Sequence, residues 1–64
     1  MMTTITLYRN TTGWLAQWTG DGARQIRELF GTDTLPLPYT SQARPLTVLA
    51  EVQERNPEVR VELA

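Results

Sequence analysis

The chain has 64 residues, 41% hydrophobic side chains and a formal net charge of −1, and it contains no lysine, histidine or cysteine. These absences exclude a Cys/His zinc site, a thiol redox centre, a histidine-activated nucleophile, a Schiff-base lysine and a disulfide framework. The slightly acidic charge argues against sequence-independent nucleic-acid binding, and the length predicts one small domain over residues 1–64.

The first two predicted elements form a β-hairpin. Residues 3–9 alternate polar and apolar side chains and are rich in threonine, which is typical of a strand. Residues 14–19 form the second strand. Between them, Asn10-Thr11-Thr12-Gly13 has the composition of a tight turn, with Asn at its start and Gly at its end.

The register of this hairpin decides where the two tryptophans lie. A four-residue loop pairs Arg9 with Trp14 and places Ile5 opposite Trp18, which gives one apolar face. A three-residue loop pairs Asn10 with Trp14 and moves both tryptophans to the other face. Because a slip of one residue exchanges the faces, burial favours the first register. Both tryptophans are then expected to pack in the core, the alternative being a platform on which bases stack.

A first helix is predicted after Gly20. Asp21 is the expected N-cap, and Gly31 supplies the C-terminal stop. Apolar residues that should face the core follow at helical spacing: Ala23, Ile26, Leu29 and Phe30.

Residues 32–44 then form a long connector with no helical period. Its Leu35-Pro36-Leu37-Pro38 segment should be extended and rigid, because proline restricts both itself and the residue before it. Leu35, Leu37 and Tyr39 are expected to hold the connector on the body. Recognition of a partner and simple packing both explain its length.

The last two elements are a second helix and a strand. Pro45 suits the first turn of the helix, and Asn56-Pro57 ends it. Its apolar face contains Leu46, Val48, Leu49 and Val52. Residues 58–63 alternate strictly and predict the final strand.

The elements predict an α+β fold: a two-layer β-β-α-α-β domain in which a three-stranded sheet carries two helices on one face. The last strand can join antiparallel to the second strand or parallel beside the first, and the long connection through two helices permits either arrangement.

The segment Leu29-Phe30-Gly31-Thr32-Asp33-Thr34-Leu35-Pro36, followed by Asn56-Pro57, resembles small uncharacterised bacterial proteins with the same hairpin-first layout. The resemblance implies no activity, and no functional residue is carried over from it.

The function expected from these patterns is a non-enzymatic protein-interaction module that self-associates, as a dimer, or docks on another protein. The free sheet surface and the connector are the candidate contacts, because three strands leave one face and two edges uncovered. The residues expected to form the interaction surface are Tyr8, Leu15, Gln17, Pro36, Pro38 and Tyr39.

Two other functions are alternatives. A nucleic-acid-associated regulatory module would use an anion patch of Arg9, Arg24 and Arg27 together with Tyr8. A small enzyme would draw on Asp33, Glu28 and Tyr39 for acid–base chemistry, but no paired carboxylates or nucleophile–base spacing support it.

No cofactor or metal is expected, because Asp33 alone offers a poor cation site. The sequence shows neither a secretory signal nor an apolar run of about 20 residues, so a cytoplasmic location without membrane contact is expected.

Overall fold

A computed structural model describes residues 2–64 of the protein, and this part of the chain holds two helices and one four-stranded sheet. The elements are β1 Thr3–Arg9, β2 Trp14–Gly20, α1 Asp21–Phe30, β3 Thr34–Pro36, α2 Pro45–Arg55 and β4 Arg60–Leu63. The fold is therefore α+β, as predicted. Neither of these helices has the length and hydrophobicity needed to cross a membrane.

The hairpin adopts the register that burial favours. Arg9 pairs with Trp14, and Ile5 pairs with Trp18. The Asn10 side chain organises the loop, because its Oδ1 accepts hydrogen bonds at 2.9 Å from the backbone N–H groups of Thr12 and Gly13. An asparagine that bonds its own turn in this way stabilises the loop length that sets the register.

The sheet has four strands in the order β3-β2-β1-β4, so the prediction of three strands is wrong. The additional strand, β3, comes from the proline-containing connector and pairs antiparallel with β2. Backbone bonds continue beyond its three residues: the Trp18 N–H donates to the Asp33 carbonyl, and the Leu37 N–H donates to the Trp14 carbonyl, both at 2.9 Å. The connector becomes a strand because it satisfies polar groups along the free edge of β2.

The final strand lies parallel beside β1, which answers the question that the sequence left open. Since β3 occupies the other edge of β2, β1 provides the remaining edge. The strand begins at Arg60 and not at Glu58, because the preceding residues form a turn in which the Val59 N–H donates to the Asn56 carbonyl at 3.1 Å.

One face of the sheet carries the core. Buried side chains from β1, β2 and α2 form it: Ile5, Leu7, Trp14, Ala16, Val48 and Val52. Trp18 packs against this cluster but is only partly buried, so the expected burial of both tryptophans holds fully for Trp14 alone.

The start of α1 lies on the same face, where a strand residue caps it. The Thr3 Oγ1 accepts a hydrogen bond from the Gly22 N–H at 2.9 Å, whereas Asp21, the expected N-cap, is already the first helical residue. The C-terminal stop is as predicted: Gly31 is left-handed, with φ 77°, and its N–H donates to the Arg27 carbonyl.

Three apolar residues expected in the core are exposed instead. Leu29 and Phe30 are 74% and 60% exposed, and Leu46 is 73% exposed. Only the first part of α1 reaches the core face, with Ala23 buried and Ile26 half-buried, so the last turn of α1 extends past the packed layer.

The connector is held on the body, as expected. Leu37 and Tyr39 pack against the core, and Leu35 is half-buried opposite Ala16. The contact is close at Gly13, where an added Cβ would lie 2.6 Å from the Tyr39 carbonyl oxygen.

Candidate interaction surface

The face of the sheet opposite the core is not covered by a helix anywhere in residues 2–64. We call it the outer face. Side chains point to it from alternate positions of all four strands, as the pairing of neighbouring strands requires. They are Thr4, Thr6, Tyr8, Leu15, Gln17, Thr19, Thr34, Pro36, Arg60 and Glu62.

Three apolar side chains form a row across one end of this face. Tyr8 of β1 lies directly opposite Leu15 of β2, and Leu15 lies directly opposite Pro36 of β3. Because neighbouring strands are about 4.8 Å apart, the row spans about 10 Å between its outer strands. We call these three residues the apolar row.

The apolar row is bordered by polar side chains. The next row along the sheet contains Thr34, Gln17, Thr6 and Glu62. The Tyr8 hydroxyl donates a hydrogen bond of 3.1 Å to the Gln17 Oε1, which fixes the tyrosine ring over β2. The result is a small apolar strip with a polar rim on a rigid sheet, an arrangement shared with protein–protein interfaces.

The structure brings together four of the six residues expected at the interaction surface. Tyr8, Leu15, Gln17 and Pro36 share the outer face. Pro38 is exposed beyond the end of β3. Tyr39 packs against the core cluster, on the other side of the sheet, because the connector folds back over the hairpin loop.

The expected anion patch does not form, because Arg9 lies at one end of the sheet and Arg24 and Arg27 lie together at the other. Arg9 lies at the hairpin end of β1, with its guanidinium 5.2 Å from the centre of the Trp14 ring and its Nη1 donating to the Ser41 carbonyl at 3.3 Å. Arg24 and Arg27 lie on α1, which begins at the opposite end of the sheet, where Gly20 pairs with Thr3.

The two arginines on α1 each lie near a carboxylate. The Arg27 Nη1 is 3.1 Å from the Asp33 Oδ2, so this arginine is paired with a carboxylate. Arg24 shares a shallow depression with Arg27, Gly20 and Asp21, so a carboxylate adjoins the cations there. Tyr8 lies beside Arg9 at the hairpin end of β1, away from the end of the sheet where α1 carries Arg24 and Arg27.

A cleft of about 340 Å³ opens beside the hairpin end of the sheet. Its lining residues are Leu7, Tyr8, Arg9, Trp14, Pro45, Leu63 and Ala64. No Asp or Glu side chain lines it, and Asp33, Glu28 and Tyr39 are all elsewhere. Across residues 2–64 there is also no group of three Asp or Glu residues that could hold a metal ion.

Trp14, which lines this cleft, has a buried indole N–H. This N–H has no hydrogen-bond partner among the described residues, an arrangement that usually costs about 1–3 kcal/mol. The Arg9 guanidinium over the ring offsets part of this cost, since a cation over an indole contributes about 0.5–1 kcal/mol at an exposed site.

Sequence reasoning missed a second exposed apolar site. Leu29 and Phe30 are adjacent at the end of α1 and both face solvent. Their helical spacing is the signal of a core-facing stripe, and no feature of the sequence indicated that the packed layer would end before them.

No family model, curated protein or solved structure matches this chain. The function must therefore be inferred from the surfaces of the molecule.

Proposed function

We propose that the protein is a non-enzymatic interaction module that docks its outer face on an apolar surface of a partner protein. The observation that carries this proposal is the alignment of Tyr8, Leu15 and Pro36 in one row across three strands. Single apolar residues scattered over a surface are ordinary, but three in direct register form a continuous contact strip.

The chemistry of the apolar row suits a protein partner. Tyrosine is enriched at interfaces because its ring buries a large area and its hydroxyl keeps a polar partner, here Gln17. Leu15 lies at the centre of the row, between Tyr8 and Pro36, so a partner that covers the row desolvates Leu15 most completely. We therefore assign Leu15 as the main anchor.

The outer face also has the rigidity that binding requires. On the opposite side, Ile5, Leu7 and Ala16 are fully or almost fully buried and fix β1 and β2 against α2. A preformed surface loses little conformational entropy when it binds, which favours affinity for a given contact area.

Replacing Leu15 by glutamate tests this role. Tyr8 is replaced by a photo-crosslinking phenylalanine analogue, and the protein is irradiated in extract of its host with and without the Leu15→Glu change. We expect a discrete crosslinked product whose yield falls about tenfold or more with Leu15→Glu, because a buried carboxylate without a partner is costly at an interface.

Thr19→Glu is the matched control. Thr19 lies on β2 and on the same face, four residues from Leu15, but outside the apolar row. The same charge should leave the crosslink unchanged there. Equal loss with both variants, or a crosslink that survives Leu15→Glu, would contradict docking through the apolar row.

A further inference from the structure

The two edges of the sheet differ in whether another strand can join them. The Asp33 carbonyl and the Leu37 N–H, which flank β3, are bonded to β2. Because bonding positions alternate along an edge strand, Thr34 and Pro36 direct their backbone groups away from the sheet. Pro36 holds one of these outward positions and has no N–H to offer. A proline on an edge strand blocks further pairing, so the β3 edge is closed.

The β4 edge is open. The Ala64 N–H donates to the Leu7 carbonyl at 3.0 Å, so the even-numbered residues of β4 direct their backbone groups toward β1. The N–H and C=O groups of Val61 and Leu63 consequently point away from the sheet. No strand within residues 2–64 lies beside them.

The side chains of β4 determine which strand fits this edge. Val61 and Leu63 lie on the core face, and Arg60 and Glu62 lie on the outer face, where the Arg60 Nε is 3.3 Å from the Glu62 Oε2. The strand therefore carries one positive and one negative charge, two residues apart, on the same face.

Only one register lets two copies of β4 pair antiparallel with opposite charges facing each other. A two-fold axis at Arg60 places Arg60 opposite Arg60, and an axis at Glu62 places Glu62 opposite Glu62; like charges directly opposite each other are destabilising. An axis at Val61 places Arg60 opposite Glu62 of the second copy, and does so twice. Registers shifted by one residue would place apolar side chains opposite charged ones.

We propose that the protein forms a two-fold dimer in which β4 pairs antiparallel with β4 of a second copy, with the axis at Val61. This inference goes beyond the proposed function, because it uses an edge of the sheet and not its outer face. The hydrogen-bonding positions agree with it: Val61 is an outward-pointing residue, so Val61 of each copy both donates to and accepts from Val61 of the other.

The same register matches the apolar side chains. Val61 meets Val61 of the second copy, and Leu63, which is 37% exposed, lies opposite Val59 of the second copy. The Val59 N–H and carbonyl already have partners in Asn56 and Gln53, so the pairing is centred on Val61.

The dimer is a continuous eight-stranded sheet with the order β3-β2-β1-β4-β4-β1-β2-β3. Because the two-fold axis is perpendicular to the sheet, both helical layers lie on one side and both outer faces on the other. The closed β3 edges end the assembly at two copies. A partner would then meet two apolar rows on one surface.

Charge reversal tests the register directly. Arg60→Glu leaves two carboxylates on each strand, and Glu62→Arg leaves two guanidinium groups. We expect each variant alone to weaken dimerisation by about tenfold or more, measured by sedimentation equilibrium from 1 to 500 μM at low salt, since both attractive pairs across the interface become repulsive. Circular dichroism verifies that each variant is folded.

Two further samples separate the dimer contact from effects within one chain. An equimolar mixture of Arg60→Glu and Glu62→Arg should form a heterodimer. In the first variant both positions of β4 are negative and in the second both are positive, so opposite charges face each other only when the two variants pair. The double variant Arg60→Glu/Glu62→Arg should form a homodimer of nearly wild-type affinity. Arg24→Glu on α1 is the control and should dimerise normally.

The proposal is overturned if the wild-type protein has the mass of one chain throughout this concentration range. It is also overturned if a dimer forms but neither charge reversal weakens it, or if the mixture of the two variants stays monomeric. Loss of a dimer only with Leu15→Glu would assign self-association to the outer face. Docking of a partner through the apolar row is measured separately by the Tyr8 crosslink and does not depend on these results.

Discussion

At the scale of single residues, Trp14 and Trp18 share a strand and a face but differ in their contribution to the core. Trp14 is 4% exposed and belongs to the core cluster, whereas Trp18 packs at its margin. The difference follows from their neighbours: Trp14 is covered by the connector and by the Arg9 guanidinium, and Trp18 lies toward the open end of the hairpin.

We expect Trp14→Ala to lower the free energy of unfolding by about 3–5 kcal/mol and Trp18→Ala by about half as much, since the penalty scales with the buried volume that is lost. Urea denaturation followed by circular dichroism measures both. For a domain of this size, the first loss is comparable to the whole stability, so Trp14→Phe provides a milder version of the same test. Equal losses at the two positions would contradict this order.

Gly13 shows how one residue joins two parts of the chain. Its φ of 153° is within the range that favours glycine, and the Tyr39 carbonyl oxygen occupies the space that a Cβ would need. The sequence indicates a glycine for the turn alone. The structure adds a second reason, because the connector rests directly on the hairpin loop at this point.

At the scale of elements, the start of α1 depends on β1. The Thr3 hydroxyl accepts from the Gly22 N–H, so the first turn of the helix is capped by a residue nineteen positions earlier in the chain. Sequence patterns assign caps to residues adjacent to a helix, and they predict Asp21 as the N-cap. A cap supplied by a neighbouring strand has no such local signal.

Thr3→Val keeps the shape of the side chain and removes the hydroxyl. We expect it to lower the free energy of unfolding by about 1 kcal/mol, the usual cost of losing an N-cap. Thr4→Val is the matched control: it is the same change on the same strand, but it lies on the outer face and should alter stability by less than about 0.5 kcal/mol. Thermal or urea denaturation of the two variants distinguishes them, and equal effects would contradict the capping role of Thr3.

At the scale of the whole molecule, a chain of 64 residues has a small core, and pairing with a second copy adds to its stability by mass action. If the β4 edge forms the proposed dimer, the Tm depends on protein concentration. We expect the wild-type Tm to rise by about 3 °C or more for each tenfold increase in concentration above the dimer Kd.

The Tm of Arg60→Glu should rise less with concentration over the same range, because this variant weakens the proposed contact and leaves the core intact. Differential scanning calorimetry at several concentrations measures both proteins. A wild-type Tm that is independent of concentration would count against a dimer whose association stabilises the fold.

The sequence by itself determined the local parts of this protein: the hairpin with its register, both helices, the glycine stop at Gly31 and the extended connector. These features follow from alternation, helical spacing and turn residues within short segments, and one apolar face was enough to choose the pairing of Arg9 with Trp14. The same alternation identified Tyr8, Leu15 and Gln17 as neighbours on the outer face.

Only the tertiary structure decided how distant segments meet. It made a strand of residues 34–36, placed β4 parallel beside β1, and left Leu29 and Phe30 in solvent. Each outcome depends on which backbone edge or apolar surface remains free once other elements have packed, and a local pattern contains no information on that. For this reason the alignment of Pro36 with Leu15, and the open edge at Val61, could be recognised only in the folded chain.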